Sequence, residues 1–255
     1  VGSEMCIRDR YWLERAVLQG DDAVLDWFRR LQDSIKRIEK NLRQLSPQVL
    51  ALFAAEQYPA LTARVQEQAL QNDANCQYLM GRFCEYGDNV KDVPDSGLYW
   101  YQQAAAQHQA DAQYALGECY ENGLWQAEKG LDKAAAWYEK AARQNDARAQ
   151  CRLGDLIGGE DQEGDMEKAV YWIKKSAVQN DAEGQYYLGE CYEFGTGIVQ
   201  DINKACEYYE KAGTQGIAEV WTALGLIHAE NATTGEDKEK ARMYYQKVIA
   251  PGNIA

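Results

Sequence analysis

The stretch AEGQYYLGECYEFGTGIVQDINKACEYYEKA, residues 182–212, shows a pattern that recurs through most of the chain. Leu-Gly or Met-Gly pairs recur in steps of 36, 37, 35 and 36 residues and end at Gly81, Gly117, Gly154, Gly189 and Gly225. Aromatic residues keep nearly the same spacing, at Trp100, Trp137, Trp172, Tyr208 and Tyr244. Two independent landmarks with one period predict an internal repeat, which decides the fold.

Each repeat is predicted to be a pair of amphipathic helices. In the first half, Gln185, Leu188 and Tyr192 share one helix face by their spacing of three and four residues. The second half has the same spacing in Ala205, Tyr208, Tyr209 and Ala212. The Gly-Thr-Gly segment at 195–197 predicts the turn between the helices, and Asp201 is the expected N-cap of the second helix.

The repeated glycine needs a physical reason, because glycine inside a helix costs about 1 kcal/mol relative to alanine. Five such glycines at one phase of the repeat indicate a close packing contact that a side chain would prevent. We expect a bulky Trp or Tyr of a neighbouring helix to approach the backbone at Gly189 and at its equivalents.

These residues resemble the Sel1-like repeat (SLR) family, a relative of the tetratricopeptide repeat with a slightly longer period. The resemblance rests on A-x-x-x-x-x-L-G-x-x-Y-x-x-G, then an Asp, then K-A-x-x-x-Y-x-K-A, and covers about residues 74–250. Gly97, the loop 158–165 and Ala229 depart from the pattern. The resemblance implies an all-α fold, a right-handed superhelical solenoid of tandem helix pairs, used for protein–protein contacts.

The order of segments predicts a cap, a degenerate helix pair and an array. Residues 1–45 are the expected N-terminal helical cap, and within it VGSEMCIRDR resembles translated adapter sequence, so residues 1–10 are expected to be artefactual or disordered. Residues 46–73 are predicted to be a degenerate pair whose second helix spans 61–71. Five repeats follow within 74–255, at about 74–109, 110–146, 147–181, 182–217 and 218–250.

A helix from Asp22 to Leu45 has two interpretations. Its apolar residues follow heptad-like spacing at Phe28, Leu31, Ile35, Ile38, Leu42 and Leu45. Since this makes fewer than three full heptads, we favour a helix that caps the array and leaves the chain monomeric. Self-association through this helix, which would make the chain a structural protein, is the alternative.

Charge indicates the class of partner. The net charge is -13, and residues 1–60 contain nine basic and nine acidic residues, so the excess negative charge lies in the repeats. Such a field disfavours nucleic acid and favours a protein or peptide with basic character. No apolar run is long enough to span a bilayer.

A candidate partner-binding surface follows from the related tetratricopeptide arrays, in which first helices line the concave face at positions i, i+3, i+7 and i+10. This rule selects tyrosines and carboxylates, and in the third repeat also Arg148 and Cys151. The candidates are Tyr78, Asp111, Tyr114, Glu118, Glu121, Asp155, Glu183, Tyr186, Glu190 and Glu193. The alternative is a solvated helix face in an acidic protein.

The sequence gives no reason to expect chemistry. His108 and His228 lie 120 residues apart, and no zinc, nucleophile or phosphate-loop motif occurs. We therefore expect no catalytic residue, no metal and no cofactor, and a hydrolase is the least favoured alternative. The irregular cysteine positions indicate free thiols and favour a cytoplasmic location. A secreted or periplasmic location stays open, because the adapter-like residues 1–10 leave the true N-terminus undefined.

Overall fold

The computed structural model describes residues 58–85, 97–159, 165–230 and 235–248. These ranges contain eleven α-helices, one 3-10 helix and no strand. The chain divides into two compact units, Val1–Gln109 and Ala110–Ala255. The predicted cap, its heptad helix and residues 46–57 of the degenerate pair lie outside the described residues.

The described part of the first unit contains three helices: α1 Tyr58–Leu70, α2 Ala74–Glu85 and α3 Gly97–Ala106. Helix α1 begins three residues before the predicted start at residue 61. Pro59 explains the earlier start, because proline lacks an N–H and is tolerated in the first helical turn, where that group has no intrahelical partner.

The second unit contains eight α-helices. They are α4 Ala110–Asn122, α5 Leu131–Arg143, α6 Ala147–Gly158, α7 Met166–Val178, α8 Ala182–Phe194, α9 Ile202–Thr214, α10 Glu219–Glu230 and α11 Gly235–Val248, with a 3-10 helix at Leu124–Gln126. Each helix packs against the next one along the chain, and α6 also contacts α8. We call α2, α4, α6, α8 and α10 the first helices of the repeats, and α3, α5, α7, α9 and α11 the second helices.

Aspartates begin several of these helices. The Lys204 backbone N–H donates to the Asp201 carboxylate at 3.1 Å, which confirms the predicted N-cap. The same contact recurs at the starts of α6, α7 and α8, through Asp146, Asp165 and Asp181. These side chains satisfy backbone N–H groups that have no partner within the helix.

The repeated glycines lie against large side chains of the second helices. A Cβ on Gly117 would lie 2.3 Å from the Tyr138 ring, and one on Gly189 would lie 2.6 Å from the Tyr209 ring. Gly81 meets Tyr101 and Gly225 meets Tyr245 in the same way. The expected close approach is confirmed, but by the residue that follows each periodic aromatic. In the third repeat Gly154 meets Ile173 instead of a ring.

Buried glutamines form a second repeated contact, the glutamine ladder, at Gln77, Gln113, Gln150 and Gln185. The Gln179 amide donates to Gln150 Oε1 at 2.8 Å, and Gln150 Nε2 donates to the Ala142 carbonyl at 3.1 Å. Gln150 Nε2 also donates to Asn145, whose φ is 69°. The ladder therefore ties the start of the third repeat to the end of the second, and together with the aspartate N-caps it explains the Gln-Asn-Asp at 144–146 and 179–181.

Candidate functional site

Seven of the predicted site residues are carboxylates on three first helices of the second unit, and we call them the acidic stripe. Asp111, Glu118 and Glu121 lie on α4, Asp155 lies on α6, and α8 carries the rest: Glu183, Glu190 and Glu193. All seven side chains are half-buried or exposed.

The predicted tyrosines differ from the carboxylates. Tyr78, in the first unit, is 3% exposed and Tyr114 is 7% exposed, so both rings belong to the core. This corrects the expectation that they present contact area to a partner. Tyr114 packs against Tyr138 with 5.5 Å between ring centroids. Tyr186 is half-buried and donates to Glu190 at 2.6 Å, which leaves it as the one candidate tyrosine with an accessible edge.

Two arginines lie among the carboxylates. Arg148 pairs with Asp111 and with Asp146, both at 2.6 Å, and its guanidinium lies 4.3 Å from the Tyr114 ring centroid. The Asp111 carboxylate is therefore engaged within the chain. This pair joins the second and third repeats across the face that was predicted to bind a partner.

Arg152 was missed by the spacing rule, which selected Cys151 instead. Cys151 is fully buried, whereas Arg152 lies 3.8 Å from Glu183 and 3.9 Å from Asp155. A difference of one residue turns a side chain by about 100° around a helix, so a rule carried over from a related repeat cannot fix this position. The sequence signal that could have identified Arg152 is its basic side chain directly after the selected position 151.

Two stripe glutamates accept hydrogen bonds from the tyrosines that pack on the repeated glycines. Tyr138 donates its hydroxyl hydrogen to Glu121, and Tyr209 donates to Glu193, each at 2.5 Å. Burial raises the pKa of both phenols, so these hydroxyls stay protonated and act as donors. Glu121 and Glu193 therefore have a structural role that a charge reversal would disturb.

A cavity of about 360 Å³ opens between α6, α7 and α8. Asp155 and Glu190 both line it, together with Tyr187, Cys191 and Phe194. Burial raises the pKa of the Asp155 and Glu190 carboxyls above their usual values. The same effect raises the pKa of the Cys191 thiol to about 11, so this cysteine is protonated and unreactive at neutral pH.

The described cysteines fit the expectation of free thiols at Cys76, Cys151, Cys191 and Cys206. Among the described residues, no group of three or more His, Cys, Asp or Glu side chains is arranged to hold a metal ion. None of the described helices combines the length and the apolarity needed to cross a bilayer. The predicted cytoplasmic location stays a prediction.

A model of the Sel1 repeat matches residues 10–21, 74–108, 110–146, 147–181, 182–217 and 223–249. The chain belongs to the Sel1 repeat family. The match at 10–21 was not foreseen and lies outside the described residues, and no part of the model matches the predicted degenerate pair at 46–73.

Solved structures agree with the family. A Sel1 repeat protein from Oxalobacter formigenes is 28% identical, with a TM-score of 0.68 over 81% of this chain and 85% of that one. The protective antigen c5321 of uropathogenic Escherichia coli, which displays an SLR fold, is 25% identical with a TM-score of 0.63. The match covers 74% of this chain and 48% of that antigen, so this Sel1 repeat chain matches about half of its length. Comparison with curated proteins gives no match.

These findings confirm the predicted resemblance and the all-α repeat solenoid. Sel1 repeat proteins mediate protein–protein interactions, and their fold is typically a scaffold without enzymatic activity. The segment boundaries of the chain and the face that binds a partner stay predictions.

Proposed function

We propose that this Sel1 repeat chain is an adaptor that binds a basic segment of another protein along the acidic stripe. One observation carries the proposal: three first helices carry seven carboxylates, of which Asp111 pairs with Arg148, and Asp155 and Glu183 lie near Arg152. Arg148 and Arg152 can neutralise at most two of these seven charges.

Three of the stripe carboxylates have a neutral donor as a side-chain partner. Glu121, Glu190 and Glu193 each accept a hydrogen bond from a tyrosine hydroxyl. A tyrosine hydroxyl orients a carboxylate without cancelling its charge. The stripe therefore combines fixed geometry with a negative field, which supports fast association with Lys or Arg side chains of a partner.

Random peptides displayed on phage provide a defined test. We expect the purified chain to select peptides enriched in Lys and Arg. The affinity of the selected peptides should fall as salt is raised, because salt screens half-exposed charges. In the double variant Glu118→Lys/Glu183→Lys we expect affinity to drop by about tenfold or more, since each reversal replaces an attraction with a repulsion.

The matched control is Glu167→Lys/Glu207→Lys, which makes the same change in net charge at exposed positions on the second helices α7 and α9. We expect it to retain most of the affinity. A similar loss in both double variants would show that overall charge, and not the stripe, attracts the peptides. Selection of peptides without basic residues would contradict the proposal directly.

A further inference from the structure

The third repeat lacks a side-chain pair that its neighbours share. In the second repeat Tyr138 packs on Gly117 and donates to Glu121, four residues after that glycine. In the fourth repeat Tyr209, Gly189 and Glu193 repeat the arrangement. In the third repeat the glycine is Gly154. Ile173 replaces the tyrosine, and Gly158 replaces the glutamate four residues after the glycine. Both changes replace a larger side chain with a smaller one in the same part of the repeat.

The cavity lies where that volume is missing. Gly154, Gly158 and Ile173 all line it, with Ala169 and Val170 of α7. A Cβ on Gly158 would make only ordinary contacts, at 3.5 Å to Ala169 Cβ and 3.7 Å to Met166 Sδ, so a side chain can begin here without a clash. The lining supplied by α7 is apolar.

The opposite side of the cavity is anionic and aromatic. Asp155 of α6 and Glu190 of α8 place carboxylates on two separate helices. Phe194 is 69% exposed although it is a large apolar side chain, and it lies at the same cavity. An apolar lining beside two carboxylates and an aromatic ring suits a side chain with an alkyl stem and a cationic head.

Within the described part of the chain, the contacts of the two carboxylates leave room for such a cation. Asp155 has Arg152 at 3.9 Å and the Tyr187 hydroxyl at 3.5 Å, both long contacts. Glu190 accepts from Tyr186, which is uncharged. The raised pKa values of the two carboxyls agree with charges that are partly desolvated and incompletely compensated.

We propose that the cavity between α6, α7 and α8 receives an arginine side chain of the bound partner protein, with its guanidinium between Asp155 and Glu190. This inference rests on the proposed adaptor function and names the anchor residue. Arginine fits better than lysine because its planar head carries five donors that can reach two carboxylates, stacks on aromatic rings and is weakly hydrated.

The probe is N-acetyl-arginine N-methylamide, titrated into the full chain and followed by backbone amide NMR shifts at Gly154 and Cys191. N-acetyl-citrulline N-methylamide has nearly the same shape without the charge and is the ligand control. We expect saturable shifts with the arginine probe, binding of the citrulline probe at least about tenfold weaker, and an intermediate affinity for the lysine analogue.

Three variants locate the binding. Asp155→Asn and Glu190→Gln keep shape and remove one charge each, and we expect each to weaken the arginine probe by about tenfold. Gly158→Leu should fill the cavity and abolish the shifts while the helix content measured by circular dichroism stays unchanged. Glu207→Gln removes an exposed charge on α9, outside both the acidic stripe and the cavity lining, and should leave the affinity of the probe within about twofold.

Equal binding of the citrulline probe, tighter binding of the lysine analogue, or full affinity in Gly158→Leu would overturn the arginine anchor. These results are separable from those of the peptide selection. If basic peptides bind and respond to the stripe reversals but not to Asp155→Asn or Gly158→Leu, the adaptor proposal stands and the anchor cavity is wrong.

Discussion

The third and fourth repeats have the same pattern of helices but differ in the side chains that pack at the repeated glycine. In the fourth, a tyrosine covers Gly189 and donates to Glu193, so core and surface are joined by one side chain. In the third, Ile173 and Gly158 stand at those positions, and a cavity remains. The difference shows that the register of the array depends on contacts common to both repeats, whereas a substitution at one pair changes the local surface without changing the fold.

The largest expected effect comes from adding one methyl group beside α7. A Cβ on Gly154 would lie 2.6 Å from Ile173 Cγ1 and 2.9 Å from the Ala169 carbonyl oxygen, and the backbone oxygen cannot rotate away. We expect Gly154→Ala to lower the free energy of unfolding by about 3 kcal/mol in chemical denaturation.

Gly158→Ala is the matched control, one turn further along α6. Its Cβ would meet only ordinary contacts, so we expect no loss, and a gain of up to about 1 kcal/mol from helix propensity. A Cβ on Gly189 would lie 2.6 Å from the Tyr209 ring, a side chain and not a backbone oxygen, so Gly189→Ala should fall between the two. Equal effects at Gly154 and Gly158 would refute the account of how the third repeat packs.

A slightly smaller loss of stability is expected from changes in the glutamine ladder, which both repeats share. Gln150→Leu removes three hydrogen bonds of a buried side chain: the bond from Gln179, the bond to the Ala142 carbonyl and the bond to Asn145. We expect a destabilisation of about 2 kcal/mol. Gln185→Leu should cost about the same, because Gln185 accepts from Gln215 and donates to Asn180. A clear difference between the two variants would show that the ladder does not act equally in both repeats.

Periodicity predicted the helix pairs and the close approach at the glycines, and the capping preference of aspartate predicted the N-cap at Asp201. It did not predict which ring lies on each glycine, because Trp137 and Tyr138 are adjacent and both are large. Similarly it placed Cys151, and not Arg152, on the stripe. These failures have one cause: spacing gives the period of a helix, whereas the rotation of each helix is decided by packing against its neighbours.

The sequence also contained a signal for the cavity, in the alignment of the repeats. Aligning the repeats places Ile173 with Tyr138 and Tyr209, and Gly158 with Glu121 and Glu193. That both departures line the same cavity, however, follows only from the structure. The burial of Tyr114 also required the structure, since tyrosine is common both in cores and at interfaces.

The hydroxyl group of the shared pair is expected to contribute less than the ladder. Tyr209→Phe keeps the ring on Gly189 and removes the donor to Glu193. We expect a loss of about 1.5 kcal/mol in the free energy of unfolding, because the acceptor is charged. A double-mutant cycle with Glu193→Gln isolates the pair, and additive effects would show that the bond contributes nothing.

The smallest effect distinguishes a carboxylate kept for binding from one that stabilises the fold. Burial raises the pKa of Asp155 in the folded chain above its value in the unfolded chain. Its charged form therefore weakens folding at neutral pH, and this cost disappears as pH falls through the folded pKa toward the unfolded value. We expect Asp155→Asn to leave stability at pH 7 unchanged or to raise it by about 0.5 kcal/mol, since solvent screens a half-exposed group.

Thermal unfolding of the parent chain and Asp155→Asn at several pH values measures this directly. The advantage of the variant should be greatest above the folded pKa and should shrink below it, as Asp155 of the parent chain takes up its proton. Arg152 and Tyr187 act against the burial of the charge and limit the size of the advantage. If Asp155→Asn instead lost stability at pH 7, the carboxylate would be a structural partner of Arg152. A variant that folds as well or better but binds the arginine probe poorly would indicate that Asp155 serves recognition at the expense of stability.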